Sequence, residues 1–191
     1  MKNNSKINEI NKLLDAAFKL LANNGQQHYY RQIKLEQLRI ILNDIHSLIE
    51  ALYDLDFKEA GIRCRKQYIP LLNIAIEKET TNIDQQALNL ERLKEAVRMS
   101  ARTNFEDFVR YYEWDERDKF FEPRYSILSA YAYYLNRMIF DPNFTLLIVN
   151  LPSGTGKTYL EKLHEAFGYG VDPSGTCLYL CSNDDVVKGR K

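Results

Sequence analysis

Disulfide, metal and membrane chemistry have little to work with in this sequence. Its 191 residues include three cysteines, Cys64, Cys177 and Cys181. Three is too few for a disulfide framework, and Cys177 and Cys181 have no second pair to complete a zinc site. A reducing, intracellular setting is the expectation. The three histidines, His28, His46 and His164, are scattered and lack ligand spacing. No stretch offers the roughly 20 consecutive apolar residues of a membrane span. The opening MKNNSKINEI lacks the apolar run of a signal peptide. A soluble chain with no membrane partner is therefore expected. Excess charge is missing too: 26 basic residues balance 26 acidic ones. That excludes a wholly basic nucleic-acid coat and an acidic tail, while leaving room for a local basic surface. Neither repeats nor low-complexity tracts occur.

What is present is a core. Hydrophobic residues make up 45% of the chain and aromatics 12%, enough for one domain of ordinary size or two small ones. Most of the chain has helical periodicity. Ile7, Ile10, Leu13, Leu14, Ala17, Phe18 and Leu21 form one apolar stripe, stopped by Asn23, Asn24 and Gly25. A second stripe runs from Leu35 to Leu52, within a helix from about Tyr30 to Tyr53, and the two helices should pack as an antiparallel pair. Asp56 is placed to cap a third helix reaching about Glu77, bent or divided at Gly61 and Pro70. Asn82 or Asp84 starts a fourth. Thr103 and Glu106 have capping-box spacing for a short fifth. Pro123 suits the first turn of a helix running to about Phe140.

At Asp141-Pro142 the texture changes. Phe144–Asn150 is almost continuously apolar and rich in strand formers, as a buried central strand would be. Thr176–Cys181 reads as a second short strand, followed at Ser182 or Asn183 by a further helix start. Asp184 and Asp185 fall there and are read as helix-capping residues ahead of metal ligands. Between the two apolar segments lies Leu151-Pro152-Ser153-Gly154-Thr155-Gly156-Lys157-Thr158, then helical periodicity from Tyr159 to Phe167 and a turn region from Gly168 to Gly175. This loop matches the phosphate-loop pattern G-x-x-x-x-G-K-[ST], except that Leu151 stands at the first glycine. Glycines let successive N–H groups face a phosphate, and the helix start adds unpaired N–H groups and a positive dipole end. Lys157 can then reach the outer phosphates of ATP, and the Thr158 hydroxyl can ligate Mg²⁺. No acidic strand end follows to complete the magnesium site. The expected architecture is a helical N-terminal domain over 1–102. Residues 103–191 then supply a helical lead-in and the first two strands of a P-loop NTPase α/β domain. Its parallel sheet is truncated, so the chain reads as the front of a longer protein.

Phe105-Glu-Asp-Phe108, the aromatic stretch to Phe120, the helix from Pro123, the run Asn150–Thr158 and the later Leu178–Asn183 together resemble the ATPase domain of the large terminase subunit of tailed bacteriophages. The resemblance covers roughly Thr103 to Lys191. It implies a packaging motor that couples ATP hydrolysis to movement of double-stranded DNA into a capsid, with a nuclease domain beyond this sequence. It also implies a homo-oligomeric ring, portal and small terminase subunit partners, and the cytoplasm of an infected bacterium. Carried over onto the matching positions, Lys157 and Thr158 are the catalytic pair, Thr158 holds the metal, and Pro152–Gly156 cradle the phosphates. Many terminases place an arginine inside this loop, where the present chain has Ser153, Gly154 and Thr155. Arg124, near the start of the preceding helix, is the substitute weighed against a plain surface salt bridge. Two rival functions fit the same residues: a helicase loader or AAA-type ATPase of DNA replication, and a non-enzymatic helical adaptor. Arg63-Cys-Arg-Lys66 and Arg31 with Lys34 are read as solvated helix faces ahead of a DNA or small-subunit contact. Tyr111, Tyr112, Trp114, Tyr131, Tyr133 and Tyr134 are read as core and interface residues ahead of base-stacking platforms.

Overall fold

A computed structural model describes residues 2–22, 28–79 and 82–175. The chain runs through α1 (Lys2–Ala22), α2 (His28–Tyr53), α3 (Phe57–Arg63), α4 (Ile69–Lys78), α5 (Ile83–Ala101), α6 (Phe105–Tyr112), α7 (Tyr125–Phe140) and α8 (Lys157–Val171). Two apolar clusters organise them. The first gathers Ile10 and Leu14 of α1, Leu38, Leu42, Ile45 and Ile49 of α2, Leu71 and Leu72 of α4, and Met99 of α5. The paired stripes of α1 and α2 thus meet as their spacing predicts.

The third predicted helix is divided where its sequence says it must be. Asp56 caps α3, its Oδ1 accepting from the Glu59 N–H at 3.1 Å. Cys64–Tyr68 then forms a wide π-helical turn, closed by the Ile69 N–H on the Cys64 carbonyl. Pro70 follows at the start of α4. A proline ring crowds the carbonyl four residues back, and the widened turn relieves that contact. Gly61 acts through its missing side chain: a Cβ there would lie 2.8 Å from Thr103 Oγ1 and 3.0 Å from the Met99 carbonyl, so α3 and the end of α5 lie close together. Glu79, buried at the end of α4, takes both hydrogen bonds of the Arg39 guanidinium, at 3.0 and 2.8 Å. A buried carboxylate held this way fixes α4 against α2.

Asn82 caps α5, and Asn104 caps α6 by accepting from the Asp107 N–H at 3.1 Å. The capping box predicted at Thr103 is one residue out of place; Thr103 donates instead to the Ser100 carbonyl. The second cluster follows: Phe105 and Val109 of α6, Phe121, Leu128, Ala132 and Leu135 of α7 and its lead-in, and Leu160, Leu163 and Phe167 of α8. Arg65, from the π-helical turn, reaches across to Glu106 at 3.1 Å and Asp107 at 2.7 Å, tying the first helical group to α6. Pro123 sits in a short 3₁₀ turn, Glu122–Arg124, ahead of α7. The turn expected from Gly168 is displaced, because α8 continues through Gly168 and Gly170 to Val171.

The expected α/β domain is not formed: the described residues are helices and connections, with no strand and no parallel sheet. Phe144–Asn150 is neither helical nor laddered. A strand exists only through a hydrogen-bonded neighbour, and no described segment forms a ladder with this one. The second predicted strand, Thr176–Cys181, lies outside the described residues, as do Asp184 and Asp185 and the side chains of Arg31 and Lys34.

Candidate functional site

Phe144–Asn150 is not the strand buried on both faces that its composition predicts; residues 147–151 alternate in burial without a sheet. Leu147, Val149 and Leu151 are half-buried and pack against the second cluster. Leu146 and Ile148, facing the other way, are 72% and 84% exposed. Side chains alternate at period two in an extended backbone, so one face is fixed inward and the other is presented outward. This also explains Leu151 at the position where the loop pattern has glycine: it is the last inward residue of the series.

The loop that follows is shaped by its glycines. Gly154 has φ 78° and Gly156 has φ 109°, a region that side chains rarely adopt. A Cβ on Gly156 would lie 2.3 Å from the Phe120 ring, so the loop rests on that ring. Thr155 Oγ1 donates to the Pro152 carbonyl at 2.9 Å. Lys157 Nζ folds back to donate to the Leu151 carbonyl and, at 3.0 Å, to the Pro152 carbonyl. It therefore bridges the loop it was expected to serve as a phosphate ligand. Pro152, Ser153, Gly154 and Thr158 are exposed. Arg124 does come near: its guanidinium stacks 4.0 Å from the centre of the Phe120 ring and donates to the Phe120 carbonyl at 3.2 Å. It is thus tied to Phe120, with no surface salt bridge among the described residues.

The groups that hold the loop in place were not evident from the sequence. Glu113, at the end of α6, is 3% exposed. Its carboxylate accepts from the Phe121 N–H at 3.1 and 3.0 Å and from the Tyr159 hydroxyl at 2.5 Å. Tyr159 also packs its ring 4.7 Å from that of Phe120. Burial and the Glu113 carboxylate both push the Tyr159 hydroxyl pKa up, so it stays a donor. Glutamate in a surface-like sequence gives no warning of such a role; only the fold brings residues 113, 121 and 159 together.

On the other side of α7, His164 places Nε2 2.9 Å from the Leu135 carbonyl and meets the Phe105 ring edge-on. Burial lowers its pKa, partly opposed by that carbonyl. The tyrosine group divides. Tyr131 is buried, whereas Tyr112, Tyr133 and Tyr134 are exposed, with Tyr134 stacked on Phe144 at 5.9 Å between ring centres. No group of three or more potential metal ligands occurs among the described residues.

The packaging motor, and with it the hydrolase role of Lys157 and Thr158, is corrected by this geometry. Phosphoryl transfer of that kind sets an acidic strand end opposite the phosphate loop within a parallel sheet. Among the described residues that sheet is not formed, and the loop stands beside a lone extended segment. The AAA-type alternative requires the same sheet and is corrected with it. Compared with known proteins, the chain matches no family model, no curated protein and no solved structure.

Proposed function

We propose that this chain is a helical adaptor that docks a protein partner on the outward face of residues 144–150. One observation carries the reading: Leu146 and Ile148 stand in solvent on an extended backbone whose opposite face is packed and whose edges have no ladder among the described residues. Apolar side chains presented together with open backbone groups mark a place for an incoming chain, which adds hydrogen bonds along the edge and fills the outward face. The helices behind supply a rigid support. Another copy of the chain, which would bring the same apolar edge, is the partner to test. Sedimentation of wild type against the double variant Leu146→Asp/Ile148→Asp decides it. Concentration-dependent association lost in the variant supports the reading; identical behaviour of the two contradicts self-docking through this face.

A second reading rests on the loop itself. Two glycines at positive φ leading into a 15-residue helix with Lys157 at its start favour a ligand that carries phosphate, Mg²⁺-ATP first among them, bound and not hydrolysed. Lys157 would exchange its two carbonyl partners for phosphate oxygens, and Thr158, already exposed, is free to meet a metal. Calorimetric titration with Mg²⁺-ATP should show binding by the wild type and at least tenfold weaker binding by Lys157→Ala. Equal affinities would remove the loop from the function.

A further inference from the structure

Between the two helical groups lies a cavity of about 800 Å³, within the range of roughly 300–1,000 Å³ that takes small ligands. Its walls are apolar: Phe57 and Ile62 of α3, Phe108 of α6, Phe140 of α7, and Phe167 and Val171 of α8. Several of these are apolar surface left open to water, with Phe57 at 41%, Ile62 at 42% and Phe140 at 44% exposure. Two cations, Lys58 and Arg102, complete the lining. Both are exposed, and neither has an ion-pair partner among the described residues. Arg102 instead lies 5.6 Å from the centre of the Tyr53 ring.

Three carboxylates adjoining cavity residues in sequence are engaged elsewhere. Asp56 caps α3, Glu59 pairs with Arg63 at 2.8 Å, and Asp172 accepts from the Ser174 N–H at 3.0 Å. A further polar group, Asn136, also lines the cavity. Its Oδ1 accepts from the Phe105 N–H at 2.9 Å, which orients the amide and leaves its N–H₂ as the donor still available. The cavity therefore combines an aromatic interior with unpaired positive charge and a fixed donor.

We propose that this cavity binds a single-chain amphipathic carboxylate, its alkyl body among the phenylalanine rings and its head group at Lys58 and Arg102. An apolar ligand without charge would leave both cations unanswered, and a cationic one would be repelled by them. A carboxylate satisfies both and can bind a guanidinium with two parallel hydrogen bonds. This site shares no residue with the 144–150 face or the glycine loop, so it stands or falls apart from both.

Dodecanoate, kept below its micelle threshold, is the probe for the full chain, with dodecyltrimethylammonium as the charge-reversed control. Backbone NMR titration should move the resonances of Phe108, Asn136 and Gly170, with the carboxylate bound roughly tenfold tighter than the cation. Lys58→Gln/Arg102→Gln, both at exposed positions, should erase that preference. Gly170→Leu should block binding of either probe, since a Cβ at Gly170 meets nothing within 4 Å and leucine suits a helix better than glycine. Equal affinity for both head groups, shifts confined to other parts of the protein, or undiminished binding by Gly170→Leu would each overturn the proposal. So would a silent wild type, including one whose cavity is already filled by another part of the chain.

Discussion

The helices α1–α5 and the helices α6–α8 are held together by different means. The first group is an aliphatic bundle in which Leu42, Ile45, Ile49 and Leu72 lock long helices side by side. Its polar anchors join one helix to another, Arg39 of α2 to Glu79 after α4 and Arg92 of α5 to Asn43 of α2. The second group is built from short helices, long connections and rings. Phe105 meets Phe108, Phe167 and His164 at centroid distances of 6.4, 5.6 and 5.4 Å. Its connections are pinned by buried polar groups, Glu113 on Phe121 and Tyr159, and Asn136 on Phe105. Repetition of small increments stabilises the first group. The second depends on a few residues that each fix several others, so single substitutions there should have larger and more local effects.

Phe105→Ala should give the largest effect. The ring is fully buried, and such truncations cost about 3–5 kcal/mol. Trp114 is the one tryptophan of the chain and lies in the second region. Denaturation followed by its fluorescence should shift to lower denaturant further than helical circular dichroism does. Coincident shifts would break the comparison and make the chain a single cooperative unit.

Glu113→Gln comes next. The amide offers one acceptor oxygen in place of two and turns a donor toward the Phe121 N–H or the Tyr159 hydroxyl. A loss of about 1–3 kcal/mol follows from the buried group left unpaired. Tyr159 should report the same substitution in its ring resonances. An unchanged spectrum would show that the pin is dispensable.

Acidification acts on both groups more gently. Burial lowers the pKa of His46 in the first group and of His164 in the second. The unfolded chain therefore binds more protons than the folded one below the ordinary histidine pKa of about 6.5. The stability these residues contribute is complete above that pH and is lost as the pH falls through their lowered folded values. Thermal midpoints should drop between about pH 7 and pH 5, and His164→Gln should flatten the part of that drop seen by Trp114. A variant with the full wild-type slope would remove His164 from the account.

How much of this was legible in the sequence follows the same division. The stripes of α1 and α2, the caps Asp56 and Asn82, and the break around Pro70 are local patterns, and local chemistry determines them. In the second group the helices α6 and α7 were legible from spacing and from Pro123. The pins were not, because Glu113, Asn136 and Phe120 act on residues distant in the chain. Phe144–Asn150 shows the limit most clearly. Its continuous apolar composition called for a strand buried on both faces, yet Leu146 and Ile148 are exposed; a sheet is a relation between segments, and a single run of strand formers cannot supply its own neighbour. The glycine loop was similar: Gly154 and Gly156 have the positive φ their positions call for, whereas the inward folding of Lys157 depends on carbonyls that only the three-dimensional turn brings within reach.

Amide hydrogen exchange across residues 145–150 tests most directly the claim that this segment is an open docking face. With no ladder partner among the described residues, the amides of Leu146 and Ile148 should exchange at nearly the rate of an unstructured peptide, while those in the middle of α7 and α8 stay protected. Protection of the segment in the monomer, comparable to that of the flanking helices, would mean its edges are already paired and would contradict the account.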